Sequence, residues 1–385
     1  MKKTLFGLTA ILLTFAVATT SCNEDSDPEP DTNQMDPNDW QGDISDKVTL
    51  DPAKTYKLTG MIDVLEGGEL TIPAGTLIEG VGGTSAAIVV HQGGKIFVNG
   101  TKDKPVVMTS GLAQKNRGDW GGLVICGSAT CNSGGGMSEV GDVPYGGNID
   151  DDNSGVIRYL RIEYSGAAFN SEKEYNGLSL FGVGSGTTIE YVQIHENADD
   201  GIEFYGGTVT ADYIVSSHIE DDMFDWTEGW SGSGSNWYGK NDQGYGNRGM
   251  ECDNWSKNFS ATPVANPTIS NVTLIGSGDQ GDEPQGMMLR AGTAGSIDNV
   301  VVKNWKTGIE VRSDESIANI ANSSLKVTNI KFVDVAAELV VKNSDNETVT
   351  GEEHTALYTV NENATGAGAG TAVPEWAKGW TVGLL

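Results

Sequence analysis

Two short alternating strand patterns recur along this chain, and their recurrence predicts its architecture. The first is an apolar residue, a free position, Tyr or Asn, an apolar residue, a free position and another apolar residue. It occurs at Ile157–Ile162, Ile189–Ile194, Ala211–Ser216, Ile269–Leu274, Ile297–Val302 and Val327–Phe332. The second follows a turn and reads Gly177-Leu-Ser-Leu180, Gly201-Ile-Glu-Phe204, Met223-Phe-Asp-Trp226, Gly249-Met-Glu-Cys252, Gly286-Met-Met-Leu289 and Gly308-Ile-Glu-Val311. Ile189 and Ala211 begin consecutive copies 22 residues apart, a period that suits two strands with their turns and marks a coil of stacked rungs. The expected fold is all-β, a parallel β-helix, right-handed because parallel crossovers have that hand.

Side chains alternate faces along a strand, so the apolar pairs of the second pattern point into the coil and the residue between them points out. Leu178, Ile202, Phe224, Met250, Met287 and Ile309 are the expected inner stack. The outward column reads Ser179, Glu203, Asp225, Glu251, Met288, Glu310, and the next one Tyr205, Thr227, Asp253, Arg290, Arg312. Asn271, Asn299 and Asn329 share one position of the first pattern, as expected of asparagine amides stacked along a bend. Gly67–Thr76 and Gly93–Thr101 read as early rungs, each an alternating strand between glycine turns. The helix is expected over residues 47–342, with residues 343–385 as a cap of the same domain; Trp376 and Trp380 are candidates to cover the open end.

Two stretches interrupt the rhythm. Cys131 to Asn153 is polar and rich in Gly and Asp, and Asp150-Asp-Asp152 within it either holds a cation or caps turns. Thr227 to Arg248 reads as a long insertion carrying Trp230, Trp237, Tyr238 and Tyr245, with Trp255 just beyond; insertions of that size are mobile or functional. The many glycines, 52 against 11 prolines, fit tight turns.

Residues 1–21 read as an export signal, with Lys2 and Lys3 before the apolar run Leu5 to Ala18. Thr19-Thr-Ser-Cys22 resembles a bacterial lipoprotein processing site, which makes Cys22 the lipidated residue and residues 22–46 an acidic, disordered tether. The acidic run after Cys22 resembles the surface-export signal of Bacteroidota lipoproteins, so a surface-exposed outer-membrane protein is expected, attached to the membrane only through its lipid. The formal charge of −29 disfavours nucleic acid and anionic membrane surfaces. Cys126 and Cys131 are close enough in sequence to close a small loop disulfide in an oxidising compartment, whereas Cys252 takes an inward position and reads as a core residue.

The chemistry is expected at the acidic column. Rungs about 4.8 Å apart would stack Glu203, Asp225 and Glu251 as like charges, each pair repelling by about 1 kcal/mol in water and several at a lower dielectric. Either solvation with raised pKa values or a calcium ion relieves this, the ion drawing further oxygens from Asp199, Asp200, Asp221, Asp222 or Asp253. Tyr205, Trp226, Trp230, Trp237, Tyr238, Tyr245, Trp255, Arg290 and Arg312 are the candidate ligand contacts, since sugar rings stack on aromatics while their hydroxyls meet acids. Should the site be catalytic, Glu203, Asp225 and Glu251 are the candidate acids and Lys240, Arg248 or Arg290 the candidate bases. His195 and His218 lie on turns and read as surface residues.

Gly118-Asp-Trp-Gly-Gly122, Arg161-Ile-Glu-Tyr-Ser-Gly166, Asn176 to Gly186, Asp199 to Phe204 and Asp221 to Trp226 resemble a family of right-handed β-helix surface lipoproteins of Bacteroidota, some of whose members are labelled multidrug transporters. The resemblance implies fold and location and brings no established active site. Three functions fit: a surface lipoprotein capturing a glycan or small nutrient, beside a TonB-dependent outer-membrane channel; a β-helix carbohydrate-active enzyme, either a carboxylate-dependent hydrolase or a calcium-assisted polysaccharide lyase; and a structural or adhesive surface protein.

Overall fold

The computed structural model describes residues 35–170, 173–242, 246–278 and 283–384. The leader, Cys22 and Tyr245 lie outside these residues. One parallel sheet of 22 strands winds through the molecule, and it forms the three walls of a right-handed parallel β-helix. In one rung the first wall is Thr188–Glu190, the second Val192–His195 and the third Ile202–Tyr205, each hydrogen-bonded to its counterpart in the rungs above and below. The expected stack is present: Leu178 pairs with Ile202 and Ile202 with Phe224, Met287 pairs with Ile309, and with Met250 all six are buried.

The corner between the first and second walls explains the Tyr or Asn position. Tyr159, Tyr191, Tyr213, Asn236, Asn271, Asn299 and Asn329 all have φ between 48° and 60° there, the left-handed region that asparagine tolerates better than most residues. The tyrosines recover the strain by stacking, with centroids 4.4 Å apart for Tyr159–Tyr191 and 4.3 Å for Tyr191–Tyr213, the ring planes nearly parallel in both cases. Asn299 Nδ2 donates to Asn271 Oδ1 at 2.8 Å and Asn271 Nδ2 to Asn236 Oδ1 at 3.4 Å. Asn329 departs from this ladder and donates to Asp298 Oδ1 instead.

Four expectations need correction. The tether reaches less far than residue 46, because Trp40–Ile44 is a strand paired with Thr55–Val64 and Trp40 is buried against the edge of Tyr56. The stretch Thr227 to Arg248 is largely a rung, since Ser233–Lys240 pairs in parallel with Thr210–Ser217 before it and Thr268–Gly278 after it. Its pattern is hidden because Gly234 and Gly239 occupy inward positions. A Cβ on Gly234 would run into the Trp237 ring, and one on Gly239 into Met223 and Phe224. Large side chains beside the glycines, Trp237 of the same rung and Met223 and Phe224 before it, thus supply the volume that the glycines omit.

Trp376 and Trp380 cover a side of the helix and not its end. Trp380 meets Tyr159 edge-on at 5.6 Å, and Trp376 meets Tyr213 at 5.3 Å. The end is closed by other residues: Ile320 from the helix Asp314–Ala321 and Leu357, at the end of a 3-10 turn, join the main apolar core. Cys126 and Cys131 are both free buried thiols. Cys126 ends a third-wall strand, while Cys131 Sγ points to the Tyr205 carbonyl at 3.5 Å, so the two are committed to different neighbours despite their short spacing.

Trp237 lies in an interior ring stack with Phe224 and Phe204. Truncating such a ring costs about 3–5 kcal/mol. Trp237→Ala is therefore expected to lower the urea midpoint sharply, whereas Trp255→Ala, at a half-buried ring, is expected to shift it little; equal small shifts would contradict the interior placement.

Candidate functional site

The site lies on the third wall, where a loop stops covering it. Outward residues of the early third-wall strands are apolar, with Val89 paired to Val124 and Val124 to Ser179. The loop from Cys131 to Tyr145 packs on them and forms a second apolar cluster with Val140, Val143 and Phe181. Its hairpin pairs Gly136–Met137 with Pro144–Tyr145. The loop is pinned at its far edge: Ser133 Oγ and Tyr145 Oη both donate to Glu228 Oε2, at 2.7 and 2.8 Å, and Asn132 Nδ2 donates to Asn254 Oδ1 at 2.7 Å. Tyr205 Oη donates to Glu139 Oε2 at 2.9 Å and stacks on Phe181 with centroids 3.9 Å apart.

Beyond this edge the outward column turns acidic. Glu203 pairs with Asp225 and Asp225 with Glu251, and beside them Asp253 pairs with Arg290. These four carboxylates floor a cleft of about 380 Å3 whose sides carry Met137, Tyr145, Phe181, Tyr205, Trp255 and Lys257. The expected columns are therefore real neighbours in space.

Two ladders explain how so many acids coexist. At the turns leading into the wall, Asp200 Oδ1 accepts the Asp222 N–H at 2.9 Å, and Asp222 Oδ1 accepts the Arg248 N–H at 2.8 Å. Each aspartate thus caps the turn of the next rung. Towards the C-terminal side arginines neutralise the column. Arg248 bridges Asp222 at 3.1 Å and Glu251 at 2.5 Å, and Arg290 bridges Glu251 at 2.5 Å and Asp253 at 2.8 Å.

Towards the N-terminal side no arginine among the described residues enters the ladder, and the carboxyls there hold protons above the ordinary range. Burial, then Asp221, Glu174 and Glu139, push Asp199 up to about 7. Burial also raises Asp200, Glu203 and Asp225 well above the ordinary carboxyl range, with their acidic neighbours adding to it. Glu203 Oε2 accepts from Asn176 Nδ2 at 2.7 Å, whereas Asp225 Oδ1 is buried without a hydrogen-bond partner.

Asp200, Asp222 and Asp225 bring carboxylate oxygens within 4.8 Å of one another, as do Asp199, Asp200 and Asp221. The orphaned Asp225 oxygen and the all-oxygen donor set suit a hard cation such as calcium. Asp150 and Asp152, by contrast, cap turns: Asp150 Oδ1 accepts the Thr130 N–H and Asp152 Oδ2 the Ser154 hydroxyl.

Several candidate contacts lie elsewhere. Trp226, Trp230, Trp237 and Tyr238 are buried in the molecule and present no surface to a ligand. Lys240 lies on the second wall, donating to the Leu384 carbonyl and facing Asp242. Arg248 and Arg290 are locked in ion pairs that raise their pKa values above an already high norm, with the neighbouring carboxylates overcoming the opposing effect of burial; neither suits the role of base. Arg312 pairs with Glu310 at 2.6 Å and lines a neighbouring hollow with Phe259 and Arg290. Of the candidate rings among the described residues, Tyr205 and Trp255 line the cleft.

Sequence reasoning missed Met137, Glu139, Tyr145, Phe181 and Glu228. Phe181 had a signal, since it precedes Tyr205 in the same column; Met137, Glu139 and Tyr145 come from a loop with no period, and Glu228 directly follows the third-wall strand Phe224–Thr227.

The fold and site define a class, a right-handed parallel β-helix with an acidic, aromatic-edged cleft on one wall. Residues 42–381 match the pectate-lyase-like beta helix domain, and the chain belongs to that family. No curated protein and no solved structure matches it. The family fold fits a carbohydrate-active enzyme or a surface protein.

A raised folded-state pKa contributes stability below the unfolded value, and this is lost as pH rises through the folded value. For Asp199 that window runs from 3.8 to about 7. In chelator, the melting midpoint is expected to fall across it as pH rises, and Asp199→Asn and Asp225→Asn are expected to flatten the fall. Variants with the parent's slope would show that these carboxyls titrate normally.

Proposed function

We propose that the third-wall cleft binds a carbohydrate chain and that the protein is a capture protein for glycans. The observation that carries this reading is the pairing of a carboxylate floor, Glu203, Asp225, Glu251 and Asp253, with the half-exposed ring of Trp255 in one cleft, beside the largely buried rings of Tyr145 and Tyr205. Sugars offer apolar faces to rings and hydroxyls to acids, and both surfaces lie within reach of one ligand. Calcium fits the same reading. Held by oxygens of Asp200, Asp222 and Asp225, it would relieve their mutual repulsion and supply a Lewis-acidic centre for hydroxyl or carboxylate oxygens.

A second reading, a carboxylate-dependent glycoside hydrolase, has its own support. Burial raises Glu251 to about 7 against the opposing pull of Arg290 and Arg248. A carboxyl group with that pKa retains a proton for a leaving group near neutral pH. The lyase reading is weaker, because it needs a base and the arginines in the cleft are ion-paired. A structural or adhesive role would need neither the cleft nor its orphaned carboxylate.

Titration against neutral and acidic polysaccharides, with chromatography of the products, separates these readings. Binding without cleavage is expected, and Trp255→Ala and Asp225→Asn are each expected to weaken it by about tenfold, or 1.4 kcal/mol. Calcium is expected to raise the melting midpoint of the parent more than that of Asp225→Asn. Shortened products would favour the hydrolase, and affinity unchanged in both variants would remove the cleft from the account.

We further propose that the chain is a Bacteroidota-type surface lipoprotein anchored through Cys22 and delivering its ligand to a TonB-dependent channel. Support comes from the Lys2-Lys3 charge, the Leu5–Ala18 apolar run and the acidic stretch after Cys22. No helix among the described residues is long and apolar enough to cross a membrane; in this reading a lipid on Cys22 makes the attachment. Cys22→Ala is expected to move the protein from the outer-membrane fraction to the soluble one, and to lose co-purification with such a channel. An unchanged membrane fraction would count against the anchor.

A further inference from the structure

A second polar cluster lies away from the acidic cleft, at the corner where the second wall ends. His195 ends the strand Thr188–His195 and pairs with Ser217 of the next rung. The residues that follow, Glu196 and His218, both turn the corner with left-handed φ values of 58° and 56°. Their side chains therefore come from equivalent places one rung apart, beside His195 on the first of the two rungs. One donor atom from each of His195, Glu196 and His218 lies within 4.8 Å of the other two.

We propose that these three residues form a transition-metal site, with zinc as the fitting ion, distinct from the acidic cleft on the third wall. Two imidazoles and one carboxylate are a borderline-soft donor set that suits zinc, cobalt or nickel and not calcium. His218 Nδ1 faces Glu196 Oε1 at 3.5 Å, close to the separation of about 3.4 Å that two ligands of a tetrahedral zinc adopt at bond lengths of 2.0–2.1 Å.

The groups around the triad resemble the outer support of such a site. His218 Nε2 lies 2.9 Å from Asp242 Oδ2, the carboxylate–histidine contact that fixes a ligand ring and raises its basicity. His195 Nδ1 lies 2.9 Å from Ser217 Oγ. Arg117 holds Glu196 by its other oxygen, Oε2, at 2.7 Å, and leaves Oε1 turned to His218. The guanidinium repels a dication, and Glu196 and Asp242 offset that charge. Without a metal, the same contacts amount to a His218 ion pair between Glu196 and Asp242, which is the reading the experiment must exclude.

The corner also touches the C-terminal segment. Gly383 lies against the His195 ring, where a Cβ would collide with it, and Gln193 exchanges two hydrogen bonds with Val382, at 2.7 and 2.9 Å. A metal fixing the His195 ring is therefore expected to tighten the packing of that segment.

The test uses the full chain stripped with chelator and titrated with zinc, cobalt and calcium. About one equivalent of zinc is expected to bind, and cobalt is expected to give the visible absorption of a tetrahedral nitrogen- and oxygen-ligated ion. Asp225→Asn is expected to leave both signals unchanged, which separates this site from the cleft. His218→Gln and Glu196→Gln are expected to abolish the cobalt band, and Asp242→Asn to weaken zinc binding by about 10–100-fold. A parent protein with no cobalt band, or one whose band survives in His218→Gln, would overturn the assignment and leave the ion pair in its place. The cobalt spectrum of the parent decides the question even if a variant fails to fold.

Discussion

In-register parallel stacking is the constraint on which this structure depends. Each rung lies about 4.8 Å from the next, so every residue rests on its equivalent, and like must tolerate like. For apolar residues this is favourable and gives the continuous interior from Trp40 to Leu357. At the strained corner it is favourable too, where three tyrosine rings stack and the asparagine amides that follow donate to one another. For carboxylates it is not, and the acidic wall shows how the chain manages the repulsion.

Three devices act on that wall in sequence. Asp200 and Asp222 turn a side-chain oxygen to the next rung's N–H, so their position serves the turns as well as the cleft. Arg248 and Arg290 enter the columns and join Asp222, Glu251 and Asp253 into one ion-pair network. Where no arginine reaches, burial favours the protonated form, and Asp199, Asp200, Glu203 and Asp225 share that fate. Burial raises the paired acids too, Glu251 to about 7, so the two ends of the cleft differ in whether an arginine stands beside the carboxyl and not in whether the carboxyl can hold a proton.

The walls also differ in what covers them. On the third wall the Cys131–Tyr145 loop shields the apolar outward positions and stops where the acids begin, so its edge becomes a side of the cleft. On the second wall the C-terminal segment does the covering, with Trp376 and Trp380 set against the tyrosine ladder and Ala377 and Leu384 packed with Val215 and Tyr238. A solenoid wall has no depth of its own, and both polar clusters lie where a returning piece of chain supplies it.

The sequence alone determined the coil, its inner stack and its outward columns, because stacking converts equivalence along the chain into adjacency in space. Glu203, Asp225 and Glu251 could be placed side by side from spacing only, and the strand pairings put them there. The rung Ser233–Lys240 escaped notice because pattern reading scores each position by its own side chain, while the volume at Gly234 is filled by Trp237 and that at Gly239 by Met223 and Phe224. Contacts between distant segments were decided only by the tertiary structure: the Glu228 anchor of the loop, the return of Trp380 to Tyr159, and the different neighbours of Cys126 and Cys131. These depend on where a non-repeating segment folds back, and such a segment carries no period from which its partner can be read.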